Sequence, residues 1–209
     1  MKILNFDLTF FMKSFINIDQ INIHVGNEIA FLGYSNSGKS TLVNSLSNKK
    51  KLSRVSKFPG STKLINFFNV DNKCRIVDFP GYGYSSFYKR KKINWLREIK
   101  KYLFYRKCLI GVVLLVDINF FFKENDLIII NILNKKKINF IILLNKCDKL
   151  SFFLRKKKYI SAQEKIISLK ISPCIQIFSS FKKIGIFELK KTLSNWYSDV
   201  YKKNKKCSF

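Results

Sequence analysis

Apolar positions in this chain fall into short runs separated by breaks rich in Gly, Asn and Lys, and the runs have two periods. Residues 28–32, 109–116 and 138–144 are nearly continuous apolar stretches of strand length, the pattern of strands buried on both faces of a parallel sheet. Residues 64–70 and 74–79 read as two further strands around an Asp71-Asn72 turn, and residues 175–178 as a last one. Between them the spacing becomes helical. A helix opens over residues 39–46. Others carry the stripes Trp95, Ile99, Leu103; Tyr159, Ala162, Ile166, Leu169; and Ile186, Leu189, Leu193, Trp196. Residues 48–63, with Pro59-Gly60, and 80–86, with two glycines, read as loops. This alternation predicts a three-layer α/β domain with a mostly parallel, about six-stranded sheet, whose ligands sit at the carboxyl ends of the strands. Residues 1–27 read as an N-terminal extension packed on a domain over 28–198, and residues 199–209 as a basic tail, frayed over 202–206.

Five motifs fall after predicted strands or on the loop leading into one. Gly33-Tyr34-Ser35-Asn36-Ser37-Gly38-Lys39-Ser40 is GxxxxGKS. Its backbone N–H groups and the start of the following helix suit a β-phosphate, Lys39 suits β- and γ-oxygens, and the Ser40 hydroxyl suits Mg²⁺. Asp78-Phe79-Pro80-Gly81 ends a strand, so the Asp78 carboxylate can hold Mg²⁺ through a water while the Gly81 N–H meets the γ-phosphate. Thr62, in the preceding loop, can complete the metal shell only with a triphosphate present, with Ser61 and Thr41 as rival hydroxyls. Asn145-Lys146-Cys147-Asp148 selects the base: a carboxylate accepts both guanine N1–H and the exocyclic amine, which adenine cannot offer in that geometry. Ser179-Ser180 offers backbone N–H groups for guanine O6. Any one of these motifs alone could be an accident. Together and in this order they point to GTP and GDP, Mg²⁺ and two loops able to sense the terminal phosphate.

Composition changes this picture in two ways. Lys and Arg outnumber Asp and Glu 40 to 13, a net charge of +27 that suits RNA, although only six of the basic residues are Arg and a Lys-, Asn-, Ile- and Phe-rich codon bias supplies part of it. The basic clusters at 49–51, 89–92, 135–137 and 155–158 read first as solvated faces, the second lying in the expected switch. Five scattered cysteines without CxxC spacing argue for a reducing cytosol and against a disulfide or zinc framework. No apolar run reaches membrane-helix length, and the start of the chain does not read as a signal peptide. His24, the sole histidine, lies away from every motif, so a His general base is not expected.

The phosphate-loop run, residues 59–68 (Pro-Gly-Ser-Thr-Lys-Leu-Ile-Asn-Phe-Phe), the string Asp78-Phe79-Pro80-Gly81-Tyr82-Gly83-Tyr84 and residues 178–185 resemble the EngB (YihA/YsxC) group of bacterial GTPases, Era-like proteins with a Ras-like P-loop NTPase fold. The resemblance covers residues 11–197. It implies nucleotide contacts from Gly33, Tyr34, Ser35, Asn36, Ser37, Gly38, Lys39, Ser40, Gly60, Ser61, Thr62, Lys63, Leu64, Asp78, Phe79, Pro80, Gly81, Asn145, Lys146, Cys147, Asp148, Phe178, Ser179 and Ser180. It implies metal contacts from Ser40, Thr62 and Asp78, and catalysis by Lys39, Thr62, Asp78, Gly81 and Asn36. It also implies a cytoplasmic monomer that hydrolyses GTP, helps assemble the large ribosomal subunit by contact with its rRNA and proteins, and affects cell division and septation, with no membrane or DNA partner. Asn36 stands where some related GTPases hold a K⁺ ion. Tyr82 stands where Ras-like switches carry a water-orienting Gln, so slow intrinsic hydrolysis is expected. The group usually has Arg at the places of Tyr34 and Ser61 and Arg-His-Pro at 119–121, here Asn119-Phe120-Phe121. Rival readings are a basic RNA-binding module with vestigial hydrolysis, a septation regulator acting through a protein partner, and an ATPase.

Overall fold

The structure, a computed structural model, describes residues 3–55, 63–83 and 94–206, with side chains described as far as residue 202. Along the chain these form β1 (Phe10–Phe15), β2 (Asn27–Leu32), α1 (Lys39–Leu46), β3 (Ile65–Asp71), β4 (Cys74–Asp78), α2 (Trp95–Tyr105), β5 (Leu109–Asp117), α3 (Glu124–Lys135), β6 (Phe140–Asn145), α4 (Phe152–Ile167), β7 (Cys174–Ile177) and α5 (Ile186–Lys206).

The strands make one sheet in the order β1-β3-β4-β2-β5-β6-β7. β4, β2, β5, β6 and β7 run parallel, while β3 is antiparallel to both β1 and β4. Period-two burial splits the strand side chains between two cores. Ala30, Leu32, Val112, Leu114, Val116, Ile142 and Leu144 pack with Ile99, Tyr102, Leu103, Ile129, Ile130, Leu133, Ala162 and Ile166 of α2, α3 and α4. Ile29, Phe31, Val113, Leu115, Ile141 and Leu143 pack with Leu42, Val43 and Leu46 of α1 and Leu189, Leu193 and Tyr197 of α5. The three layers are therefore α2–α4, sheet, and α1 with α5, as the alternation predicts.

Three features depart from the sequence reading. The sheet has a seventh strand, β1, taken from the N-terminal stretch. Residues 124–135, given no element above, form α3. The last helix continues through residues 202–206, expected to fray, as far as Lys206. Strand order reverses at β2, which lies between β4 and β5. In open α/β sheets the crevice at such a point takes the ligand, and the loop leaving β2 is the GxxxxGKS segment.

Candidate functional site

Gly38 adopts φ +104°, and a Cβ there would overlap the side-chain amide of Asn145. The residue is thus fixed by conformation and by space. α1 begins at the next residue, Lys39. The Lys39 ammonium donates to the carbonyls of Gly33 at 3.0 Å and Tyr34 at 2.9 Å, so it lies across the loop. Burial pushes its pKa down to about 8, against the opposing pull of Asp78 and Asp126. Asn36 is exposed at the loop tip with φ 63°.

Asp78, fully buried at the end of β4, accepts from Ser40 Oγ at 3.1 Å and Ser53 Oγ at 3.4 Å, both through Oδ2. Its Oδ1 is buried without a hydrogen-bond partner. Burial pushes the Asp78 carboxyl up to about 6, with Lys39 and the two serines pulling the other way. A buried carboxylate with one oxygen unmatched, beside a helix-start hydroxyl, is the donor set that a hard cation satisfies. Mg²⁺ characteristically takes one or two protein oxygens and completes its shell with phosphate and water. Among the described residues there is no cluster of three or more His, Cys, Asp or Glu able to hold a metal. Ser40 and Asp78 fit Mg²⁺ as the protein oxygens of such a shell. Thr62, Ser61 and Gly60 lie outside the described residues. Lys63 and Leu64 are exposed ahead of β3.

Phe79 and Pro80 are buried, and a Cβ on Gly81 would overlap the Ser35 backbone. The Gly81 carbonyl accepts from Ser35 Oγ at 3.2 Å, and the Tyr82 carbonyl from Ser35 N at 3.1 Å. The chain after Asp78 is thereby zipped onto the phosphate loop. Tyr82 is only 2% exposed. Its ring meets the Tyr34 ring edge-on at 4.7 Å, and its hydroxyl donates to Asp126 Oδ1 at 2.6 Å. Asp126 Oδ2 accepts from Lys123 N at 3.1 Å at the start of α3. Burial pushes the Asp126 carboxyl up to about 6, opposed first by the Tyr82 hydrogen bond.

At the other end of the site, Asn145 joins three segments. Its Nδ2 donates to the Ser37 carbonyl at 2.6 Å, and its Oδ1 accepts from Ser180 N at 2.9 Å and Ser180 Oγ at 3.2 Å. Ser45 of α1 donates to the Ser180 carbonyl. Lys146 takes a left-handed conformation, φ 67°, and its ammonium pairs with Asp117 Oδ2 at 2.8 Å. Asp148 Oδ1 accepts from Ser179 Oγ at 2.5 Å. Cys147 is buried and donates its N–H to the Phe178 carbonyl at 3.1 Å. Burial pushes its thiol pKa up, the opposite of nucleophilic activation.

The residues of the GxxxxGKS, Asp78–Gly81, Asn145–Asp148 and Ser179-Ser180 motifs thus converge at the carboxyl ends of β2, β4, β6 and β7. The N–H groups of Ser179 and Ser180, expected to face guanine O6, are taken by the Ile184 carbonyl and Asn145 Oδ1 in this structure. Three contributors escaped the sequence reading: Ser53, Asp117 and Asp126. Their partners lie 25 to 44 residues away, and no spacing signals them.

A family model described as "50S ribosome-binding GTPase" matches residues 28–146. The probable GTP-binding protein EngB of Buchnera aphidicola subsp. Schizaphis graminum (strain Sg) is 48% identical over 197 residues, covering 94% of this chain and 98% of that one. Its counterpart in Buchnera aphidicola subsp. Baizongia pistaciae (strain Bp) is 44% identical over 194 residues, covering 93% of this chain and 85% of that one. Among solved structures, a probable GTP-binding protein engB superposes with a TM-score of 0.63 at 24% identity, covering 82% of this chain and 99% of that one, a likeness of fold.

Proposed function

The chain belongs to the EngB family of GTP-binding proteins, and from that premise we propose that it is a Mg²⁺-dependent GTPase switch that acts in the cytoplasm on the assembling large ribosomal subunit. The observation that carries the reading is the Asn145 bridge, which ties the phosphate loop at Ser37 to the base-end segment at Ser180. One rigid pocket can therefore clasp a phosphate tail and inspect a purine together. Lys39 neutralises charge on the phosphates. Ser40 and Asp78 hold the metal, which when bound supplies positive charge against the developing negative charge of phosphoryl transfer. Gly81, with Thr62, senses the γ-phosphate. Asp148, oriented by Ser179, selects guanine.

Intrinsic hydrolysis is slow. Tyr82 stands where a water-orienting Gln is needed, and its hydroxyl is engaged by Asp126 in the interior. Contact with the ribosomal particle supplies the missing positioning. Asn36, exposed on the loop, is the residue through which K⁺ would assist, so turnover should exceed that in Na⁺ and lose the difference in Asn36→Ala. The part in division and septation rests on the family resemblance alone.

The test compares binding of labelled GTP, GDP and ATP with and without Mg²⁺, then sedimentation with ribosomal fractions in a GTP analogue and in GDP. Guanine preference, metal dependence and co-sedimentation with the large subunit only in the triphosphate state are expected. Equal, metal-indifferent affinity for ATP and GTP overturns the nucleotide reading. Failure to sediment in either state overturns the ribosomal one.

A further inference from the structure

We propose that the rim around the base end of this pocket is a docking face for single-stranded RNA, an inference that rests on the ribosomal reading and gives that partner a place on the molecule. Four phenylalanines stand out there: Phe152 is 81% exposed, Phe181 76%, Phe153 74% and Phe120 68%. They belong to three segments that the site brings together. The start of α4 follows Asp148 directly, the loop after β7 is tied to Asp148 through Ser179, and the loop after β5 is tied to Lys146 through Asp117.

Each segment pairs aromatic rings with ammonium groups. Lys182 Nζ lies 5.5 Å from the centre of the Phe181 ring, Lys123 Nζ 5.8 Å from Phe120 and Lys158 Nζ 5.8 Å from Phe121. The first turn of α4 contains no acid, and Arg-Lys-Lys-Lys follows at 155–158. That turn also presents the positive end of the helix. Exposed flat rings beside mobile cations are what an unpaired strand requires: bases stack on the rings and phosphates meet the lysines. A duplex keeps its base faces inside and can use only the charge.

The surplus of Lys and Phe in this chain provides its own control. Phe104 and Tyr105, 51% and 80% exposed, end α2, with Lys136 Nζ 4.4 Å from the Phe104 ring centre. The chemistry is the same, but these residues precede β5 and so lie toward the amino end of that strand, opposite the pocket. If composition alone made the basic aromatic rim, the two faces would bind RNA alike.

The experiment uses the full chain loaded with Mg²⁺ and a non-hydrolysable GTP analogue, and fluorescence anisotropy of a labelled single-stranded RNA of about 12 nucleotides, within the span one such face can hold. Phe152→Ala/Phe153→Ala/Phe181→Ala should weaken binding at least about tenfold with its salt dependence unchanged, since stacking on each base is worth about that much. Lys156→Gln/Lys157→Gln should lower the slope of log affinity against log salt by about one. Phe104→Ser/Tyr105→Ser should change neither, and all variants should bind fluorescent GDP like the parent. RNA binding unmoved by the triple variant overturns the proposal, as does equal loss in the α2 variant, equal affinity for a duplex, or tighter binding of DNA of the same sequence. Large-subunit sedimentation separates the two readings. A triple variant that still co-sediments like the parent removes this face and leaves the ribosomal role, whereas a parent that does not co-sediment removes that role while the oligonucleotide result stands.

Discussion

Tyr82 shows how one hydroxyl can connect two parts of the fold. It is buried between Tyr34 and α3, and its hydrogen bond to Asp126 is made to a carboxylate with little access to water. Tyr82→Phe deletes the donor and leaves that oxygen unmatched, so the chain should lose about 2 kcal/mol, the cost of removing a hydrogen bond to a buried charged group. Urea unfolding of the nucleotide-free protein measures this, and an unchanged midpoint at equal slope refutes it. Asp126 also makes a pH prediction. Burial holds its carboxyl at about 6 in the folded chain, against about 4 in the unfolded one. The folded state therefore binds the proton more tightly. The stability this residue contributes is fully present below about pH 4 and is lost as pH rises through 6. Relative to Asp126→Asn, the parent should lose about 2 kcal/mol of unfolding free energy between pH 4 and pH 7; a constant difference between the two proteins across that range would count against it. Neither residue was legible as part of the site. Tyr82 reads in sequence only as a departure from a Gln, and its partner lies 44 residues away on a helix the pattern does not announce.

At the scale of elements, the strands were easiest to read where both faces are buried. β2, β5 and β6 have no solvent face, so continuous apolar runs reveal them. β1 is the opposite case. It is an edge strand whose first four residues, including Phe10, Phe11 and Met12, are exposed, so neither alternation nor a continuous run distinguishes it. α3 hides for another reason. Leu127-Ile128-Ile129-Ile130 is a branched apolar run that favours a strand locally, and only the burial of Ile129, Ile130 and Leu133 against the sheet makes it helical. Elements are also tied by charge. Glu28 opens β2 fully buried, held by Arg106 through Nε at 2.8 Å and NH2 at 2.6 Å and by the Tyr102 hydroxyl at 2.7 Å. Arg106→Ala leaves that carboxylate without its cation and should cost about 3–5 kcal/mol in denaturant unfolding. Arg106→Ala combined with Glu28→Gln should recover part of the loss. Asn145→Ala acts differently, because it uncouples the phosphate loop at Ser37 from the segment after β7. Guanine nucleotide affinity should fall about tenfold or more, the equivalent of one net hydrogen bond, with a smaller effect on unfolding; an affinity equal to the parent's would remove the bridge from the account.

For the whole molecule, the charge of +27 and the buried carboxylates pull in one direction. Asp78 lies in the interior with one oxygen unmatched, and the chain carries a large excess of like charge. On the reading proposed above, a metal-bound nucleotide would relieve both, by matching the Asp78 oxygen and by adding negative charge at the phosphate loop. Binding to the folded state alone stabilises it by mass action, about 2.7 kcal/mol at a ligand concentration one hundred times the dissociation constant. Mg²⁺ with GDP should therefore raise the thermal midpoint by several degrees, and ATP with Mg²⁺ at the same concentration should leave it unmoved. Asp148→Asn tests which end of the pocket makes that distinction. The carboxylate accepts two donors from guanine, while an amide offers one acceptor and one donor, the pattern that xanthine meets. The variant should lose the stabilisation by GDP and gain one from XDP, with the unfolding midpoint of the nucleotide-free protein unchanged. If GDP still protects Asp148→Asn as it does the parent, guanine is recognised elsewhere, and the convergence of β6 and β7 on this corner of the sheet serves packing alone.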